Sequence, residues 1–207
     1  MTAMVKIILV RHGETEWNKI RRIQGGESDT PLNETGRHQA VALAARLKDE
    51  KIDAVFSSPL QRALRTAQTI ADCHHLEVSA LPSLKEIQVG ELEGRLASDL
   101  LLRFDEFLCG DGAGKKPVRP PGGETAEDVQ KRAWDTIIDI TARQPEGTLV
   151  VVSHYFVIMT VICRVLNLPV SQMVRLRLST GTLSAFTMEN DKMRLELFND
   201  GCHNLKP

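Results

Sequence analysis

Two short segments of this chain end in the same chemistry. The run "IILV" leads into Arg11-His12, and the run "LVVV" leads into Ser153-His154. Each run is apolar and largely β-branched, as expected of a strand buried on both faces. Ligands of open α/β sheets bind beyond the carboxyl ends of the strands, so parallel pairing would bring both histidines to one rim. A third short strand, "AVFSS", feeds a helix that carries Arg62 on its first turn, near the same rim. Two arginines and two histidines suit a phosphoryl group. Guanidinium forks pair with phosphate oxygens and do not lose their charge. One neutral imidazole, held through its other nitrogen, can attack phosphorus in line. The second can donate to an equatorial oxygen and hold transition-state charge.

Such a site also needs a proton donor for the leaving oxygen. The segment "LKEIQVGELEG" offers Glu86, Glu91 and Glu93. A carboxyl beside a bound phosphate has its pKa raised by like charge and by burial, so it can give a proton and later take one from water. Position in the sequence does not choose among the three.

These groups need a frame. Met4–Val10 is a strand, and residues 36–51 form a helix with Gln39, Ala40, Leu43, Ala44 and Leu47 on one face. Residues 53–58 are a strand, and 59–73 a helix with Pro59 at its first position. "LEVSAL" is another strand, and 96–108 read as helical. Residues 109–123, rich in Gly, Pro and Lys, read as surface loop. Thr125 and Asp128 form a capping box for a helix reaching about Arg143. A strand at 147–153, a helix at 156–166 and a hairpin turning at Asn190-Asp191 complete the chain. This alternation predicts a three-layer α/β/α sandwich whose central sheet is mostly parallel, with an antiparallel edge.

With 207 residues, 42% of them hydrophobic, the chain suits one domain with its own core. The net charge of −1 supplies no global field for nucleic acid or an anionic membrane. No apolar run reaches the roughly 18 residues of a membrane span, and the opening "MTAMVKIILV" is too soon charged for a signal peptide. Four scattered cysteines without a C-x-x-C read as free thiols, so a cytoplasmic protein is expected. Exposed strand edges would suit a homodimer.

The segments "LVRHGETEWN", "RIQGG", "DTPLNETGRHQA", "SSPLQRALRTAQTIA", "LKEIQVGELEG", "PPGGET" and "VVVSH" occur in an order that resembles the histidine phosphatase superfamily, in its phosphoglycerate-mutase-like branch. The resemblance covers nearly the whole chain as a single domain, with a helical and loop lid inserted at about 87–123. It implies His12 as the phosphorylated nucleophile and Arg11, Arg62 and His154 as the phosphate pocket. It also implies Glu86 as general acid and base, and Asn18 and Gln24 as contacts to phosphoryl group or substrate. Apart from the resemblance, Arg21 and Arg22 read either as surface charge or, for at least one of them, as a contact to the substrate end, with Arg21 the candidate. No metal and no cofactor are implied, and the partner is a small phosphomonoester.

Departures from the pattern bear on specificity. Tyr155 stands after the second histidine, where the family often has Gly, which places a phenol near the pocket mouth. The run "QGGESDTPL" is one residue longer than usual around Gly26 and Glu27. The segment from Glu86 to Gly123 is shorter than in the cofactor-dependent mutases, which favours hydrolysis, because a shorter lid leaves a wetter pocket. "SHYFVIMTVIC" and "FNDGCHN" look most like phosphoserine and α-ribazole phosphatases. The alternatives are a 2,3-bisphosphoglycerate-dependent phosphoglycerate mutase and a non-catalytic member that binds phosphorylated ligands.

Other residues carry plainer readings. Arg65 divides evenly between support and surface, Arg175 and Arg177 read as surface, and Cys73-His74-His75 and Cys202-His203 as solvent-facing. "GDGAGKK" lacks P-loop spacing and has Lys116 where a metal-binding hydroxyl should stand.

Overall fold

A computed structural model describes residues 4–96, 98, 119–190 and 192–204. The central sheet has six strands: β1 (Met4–Arg11), β2 (Ala54–Ser57), β3 (Val78–Ala80), β4 (Gly147–Ser153), β5 (Leu183–Glu189) and β6 (Lys192–Asp200). Their order is β3-β2-β4-β1-β5-β6. The first four are parallel, and β5 and β6 add an antiparallel edge. Among the described residues the α-helices are α1 (Glu16–Lys19), α2 (Glu34–Leu47), α3 (Gln61–Asp72), α4 (Ala126–Arg143) and α5 (Tyr155–Val165).

The unbroken apolar runs of β1 and β4 have a direct cause. Val5, Ile7, Leu9, Leu149 and Val151 pack with α4 and α5 on one face. Ile8, Val10, Val150 and Val152 pack with α2 and α3 on the other. Side chains alternate across a strand, so a strand covered on both faces must be apolar at every position. The sandwich is the expected one. Truncating a fully buried residue such as Ile7 to Ala would cost about 2–5 kcal/mol.

Several boundaries shift. Helix α2 begins at Glu34, because the Asn33 side chain accepts from the Gly36 N–H at 2.8 Å. Pro59 is not the first residue of α3. Leu60, in extended backbone, precedes the helix, and the Gln61 N–H is taken by Asp29 at 2.7 Å. A distant carboxylate thus supplies a cap that the local sequence lacks. The Thr125–Asp128 capping box forms as expected. The hairpin forms, with Asn190 at a φ of 48°. Asp191, nearly all of the helix expected at 96–108, the "GDGAGKK" segment and most of the insertion at 87–123 lie outside the described residues. Among the described residues no helix is long and apolar enough to cross a membrane.

Candidate active site

Strands β1 and β4 are neighbours in parallel register, with Arg11 opposite Ser153. Their ends therefore deliver His12 and His154 side by side, with ring centroids 5.1 Å apart. Both histidines are buried. The His12 N–H donates to the Ser153 carbonyl at 3.1 Å, which locks the two ends together. The chain then turns away through Gly13. A Cβ on Gly13 would lie 2.4 Å from the Gly36 carbonyl oxygen, so only glycine permits this approach of loop to helix.

The two imidazoles are held differently. His12 Nδ1 lies 2.7 Å from the Gly13 carbonyl. A carbonyl only accepts, so Nδ1 carries the proton and Nε2 keeps the lone pair. His154 has no hydrogen-bond partner for either ring nitrogen among the described residues. Burial holds the His12 pKa well below the ordinary 6.5, with Arg62 and then Arg11 adding to the effect. Burial does the same to His154, reinforced by Arg62, His12 and Arg11. Both rings are neutral at physiological pH.

The cations come from separate elements. Arg62, fully buried on α3, donates through Nη1 to the Ser28 carbonyl and through Nη2 to Gly25 at 3.0 Å. Burial lowers its pKa to about 10, which still leaves it charged. Arg11 donates through Nη1 to the Leu178 carbonyl at 2.7 Å, and its guanidinium lies 5.3 Å from the Tyr155 ring centroid. The Nε atoms of both arginines are buried without a partner among the described residues. Buried donors of this kind are normally satisfied, so they are available for an anion.

The structure separates the three glutamates. Glu91 is exposed. Glu93 holds the 25–28 loop, accepting from Gly25 N–H at 2.8 Å and from the Ser28 hydroxyl. Glu86 is buried, and its Oε1 accepts from the Ile87 N–H at 2.9 Å and the Phe156 N–H at 3.1 Å. Burial raises its pKa above 4.5, against the opposing pull of the Ile87 N–H, Arg62, Arg11 and Arg132. A buried carboxyl coupled to both pocket arginines has the electrostatics of a proton donor.

The remaining expected contacts are placed less directly. Asn18 closes a capping box on α1, with Oδ1 accepting from the Thr15 N–H at 3.1 Å. The Thr15 hydroxyl lies 2.9 Å from Gln24 Oε1, and Gln24 Nε2 is buried without a partner among the described residues. Arg21 is exposed at a φ of 55°. Its neighbour Arg22 bonds the Gly94 carbonyl and lies over Trp17. Tyr155 opens α5, half-buried, against Arg11 and edge-on to Phe156. Arg65, Arg175 and Arg177 are exposed. Cys202 is exposed as expected, but His203 is not simply solvent-facing: its Nε2 lies 2.8 Å from the Gly181 carbonyl.

Sequence reasoning missed the support beneath Glu86. Arg132 on α4 donates to the carbonyls of Ser83, Lys85 and Glu86 and pairs with Glu124 at 2.8 Å. Glu124 also accepts from the Gln88 N–H at 2.9 Å. The segment "PPGGET" contains Glu124, but nothing in the sequence marks Arg132 among 26 Lys and Arg.

Comparison with known proteins identifies the family of the chain. The family model described as "Histidine phosphatase superfamily (branch 1)" matches residues 7–201. A probable phosphoglycerate mutase GpmB of Serratia proteamaculans is 39% identical over 87% of this chain and 84% of its own length. Phosphoserine phosphatase 1 of Hydrogenobacter thermophilus is 33% identical over 97% of this chain and 94% of its own. The crystal structure of a phosphoserine phosphatase from Entamoeba histolytica, in complex with 3-phosphoglyceric acid, superposes with a TM-score of 0.86 at 32% identity, covering 97% of this chain and 100% of that one. On the family match over residues 7–201 and these relatives, the chain belongs to the histidine phosphatase superfamily, branch 1.

Proposed function

We propose that the protein hydrolyses a small phosphomonoester through a phosphohistidine on His12. The observation that carries this reading is the Nδ1 bond to Gly13, which commits one nitrogen and leaves Nε2 as a fixed, neutral nucleophile. Nε2 attacks phosphorus while the bond to the ester oxygen breaks. Glu86 gives its proton to that oxygen. The resulting carboxylate then takes a proton from water, the hydroxide attacks phosphorus, and the P–N bond breaks to release phosphate and restore His12. Arg11, Arg62 and His154 hold the phosphoryl oxygens and the charge that gathers on them. The reading needs no metal ion, since fixed guanidinium groups supply the positive charge.

The test is a brief incubation with a ³²P-labelled monoester, quenched in base. Wild type should trap a label that is stable in alkali and lost in acid. His12→Ala should trap none, and equal labelling of the two would overturn the mechanism.

Similarity to two phosphoserine phosphatases makes phosphoserine the first substrate to try. Similarity to a probable phosphoglycerate mutase favours a second reading, phosphoryl return to a reoriented glycerate. Phosphate release should exceed the interconversion of 2- and 3-phosphoglycerate, with or without 2,3-bisphosphoglycerate. The reverse ranking would favour the mutase.

A further inference from the structure

The turn at residues 178–182 is tied to Arg11, which ends β1, and to His12, which follows it. The Leu178 carbonyl holds the Arg11 guanidinium at 2.7 Å. The Thr182 carbonyl accepts from the Arg11 N–H at 3.0 Å, and the Gly181 N–H is shared between the carbonyls of Arg11 and His12 at 3.1 and 3.0 Å. Gly181 sits at a φ of 64°, and a Cβ there would lie 2.7 Å from the Gln39 side chain. Glycine has the most conformational freedom to lose, so a pivot at this position needs holding from outside.

The hold comes from the C-terminal end of the described chain. The Gly181 carbonyl accepts from His203 Nε2 and from Asn204 Nδ2, each at 2.8 Å. Asn199 Oδ1 accepts from the Ser179 N–H at 2.9 Å, steadying the same turn. Because the Gly181 oxygen can only accept, His203 carries a proton on Nε2. Its Nδ1 is buried without a partner among the described residues. Gly181 is thus gripped on its carbonyl side by two side chains while its N–H grips the nucleophile's backbone.

We propose that His203 and Asn204 are positioning residues for His12 and Arg11, acting through Gly181. They touch neither substrate nor reacting atoms. They fix the turn that fixes the His12 carbonyl and the Arg11 guanidinium, and small displacements of a nucleophile are expensive in rate. The inference rests on the reading of His12 as nucleophile.

The test compares His203→Ala with His203→Gln on p-nitrophenyl phosphate, with thermal midpoints measured for both. A glutamine amide can place an N–H close to the position of the histidine Nε2, and alanine cannot. The kcat of His203→Ala should fall about 5- to 20-fold with KM within about twofold, as a small misplacement of a nucleophile gives. His203→Gln should recover at least half of the wild-type kcat. Asn204→Ala should lose less, because His203 still donates. A His203→Ala kcat within twofold of wild type overturns the proposal, and so does a loss that glutamine does not rescue. If wild type itself releases no phosphate, the catalytic reading fails and the brace is judged by orthovanadate binding. Weaker binding in His203→Ala, restored in His203→Gln, then supports it, and equal affinities overturn it.

Discussion

Strands β1 and β4 lie side by side, are covered by the same helices and end in buried, neutral histidines, yet the two ends are built differently. At β1 the histidine is pinned at three points: its N–H to Ser153, its carbonyl to Gly181 and its Nδ1 to Gly13. At β4 the chain enters α5 at once, and the His154 ring has no hydrogen-bond partner among the described residues. A ring with one nitrogen committed and its backbone clamped suits an atom that must attack along one line. A ring with both nitrogens uncommitted suits a donor that meets whatever oxygen the first ring's reaction presents. Two similar strand endings give different tools because the contacts that each histidine meets differ.

The sharpest way to break this comparison is to remove each ring in turn. His12→Ala should lower turnover by at least about 10³-fold and abolish covalent labelling, as loss of a nucleophile does. His154→Ala should cost about 10²- to 10³-fold, the cost of one charge-stabilising donor, and still form label slowly. If His154→Ala fails to label while His12→Ala labels, the roles are exchanged.

Next in size is Glu86→Gln, expected to slow hydrolysis of alkyl phosphates about 10²- to 10⁴-fold. The loss should be smaller for p-nitrophenyl phosphate, whose leaving group needs no proton. The two pKa directions also set a bell. In the proposed mechanism His12 acts neutral, so kcat/KM should rise with pH through a pKa below 6.5. Glu86 acts protonated, so activity should fall with pH through a pKa above 4.5. Glu86→Gln should lose the falling limb, and a profile that keeps it places the acid elsewhere.

A smaller effect should follow at Tyr155, the residue between the two ends. Its ring lies on Arg11, so Tyr155→Leu should weaken competitive inhibition by inorganic phosphate about 2- to 10-fold, the range of a partly desolvated cation–π contact. Tyr155→Phe keeps the ring and should stay near wild type. Equal effects of both would assign the phenol oxygen, not the ring face.

The smallest effect is on stability. The folded state keeps both imidazoles neutral, while the unfolded chain protonates them near 6.5. The unfolded state therefore binds more protons below that pH, and stability is lost as pH falls through 6.5. The thermal midpoint of wild type should drop from pH 7.5 to 5.5 more than that of His154→Asn. Equal drops would mean that His154 is charged in the fold.

Much of this arrangement could be read along the chain. Strands β1 and β4 were legible because burial on both faces demands apolar residues at every position, and parallel pairing then carried His12 and His154 to one rim. The start of α3 was less legible, because its cap comes from Asp29, some 30 residues upstream. Glu86 could not be separated from Glu91 and Glu93 by position, since burial and a partner N–H at Phe156 distinguish it. Arg132 and His203 were invisible for the same reason. Each acts on a backbone carbonyl, and a carbonyl has no signature in sequence.

By itself, then, the sequence determined the sheet and the residue types at its rim, since those follow from local periodicity and side-chain chemistry. Tertiary structure decided which nitrogen of His12 is available, which glutamate is buried, and which distant side chains hold both in place. Those choices depend on contacts between segments far apart in the chain, where backbone hydrogen bonds and burial act without regard to sequence distance.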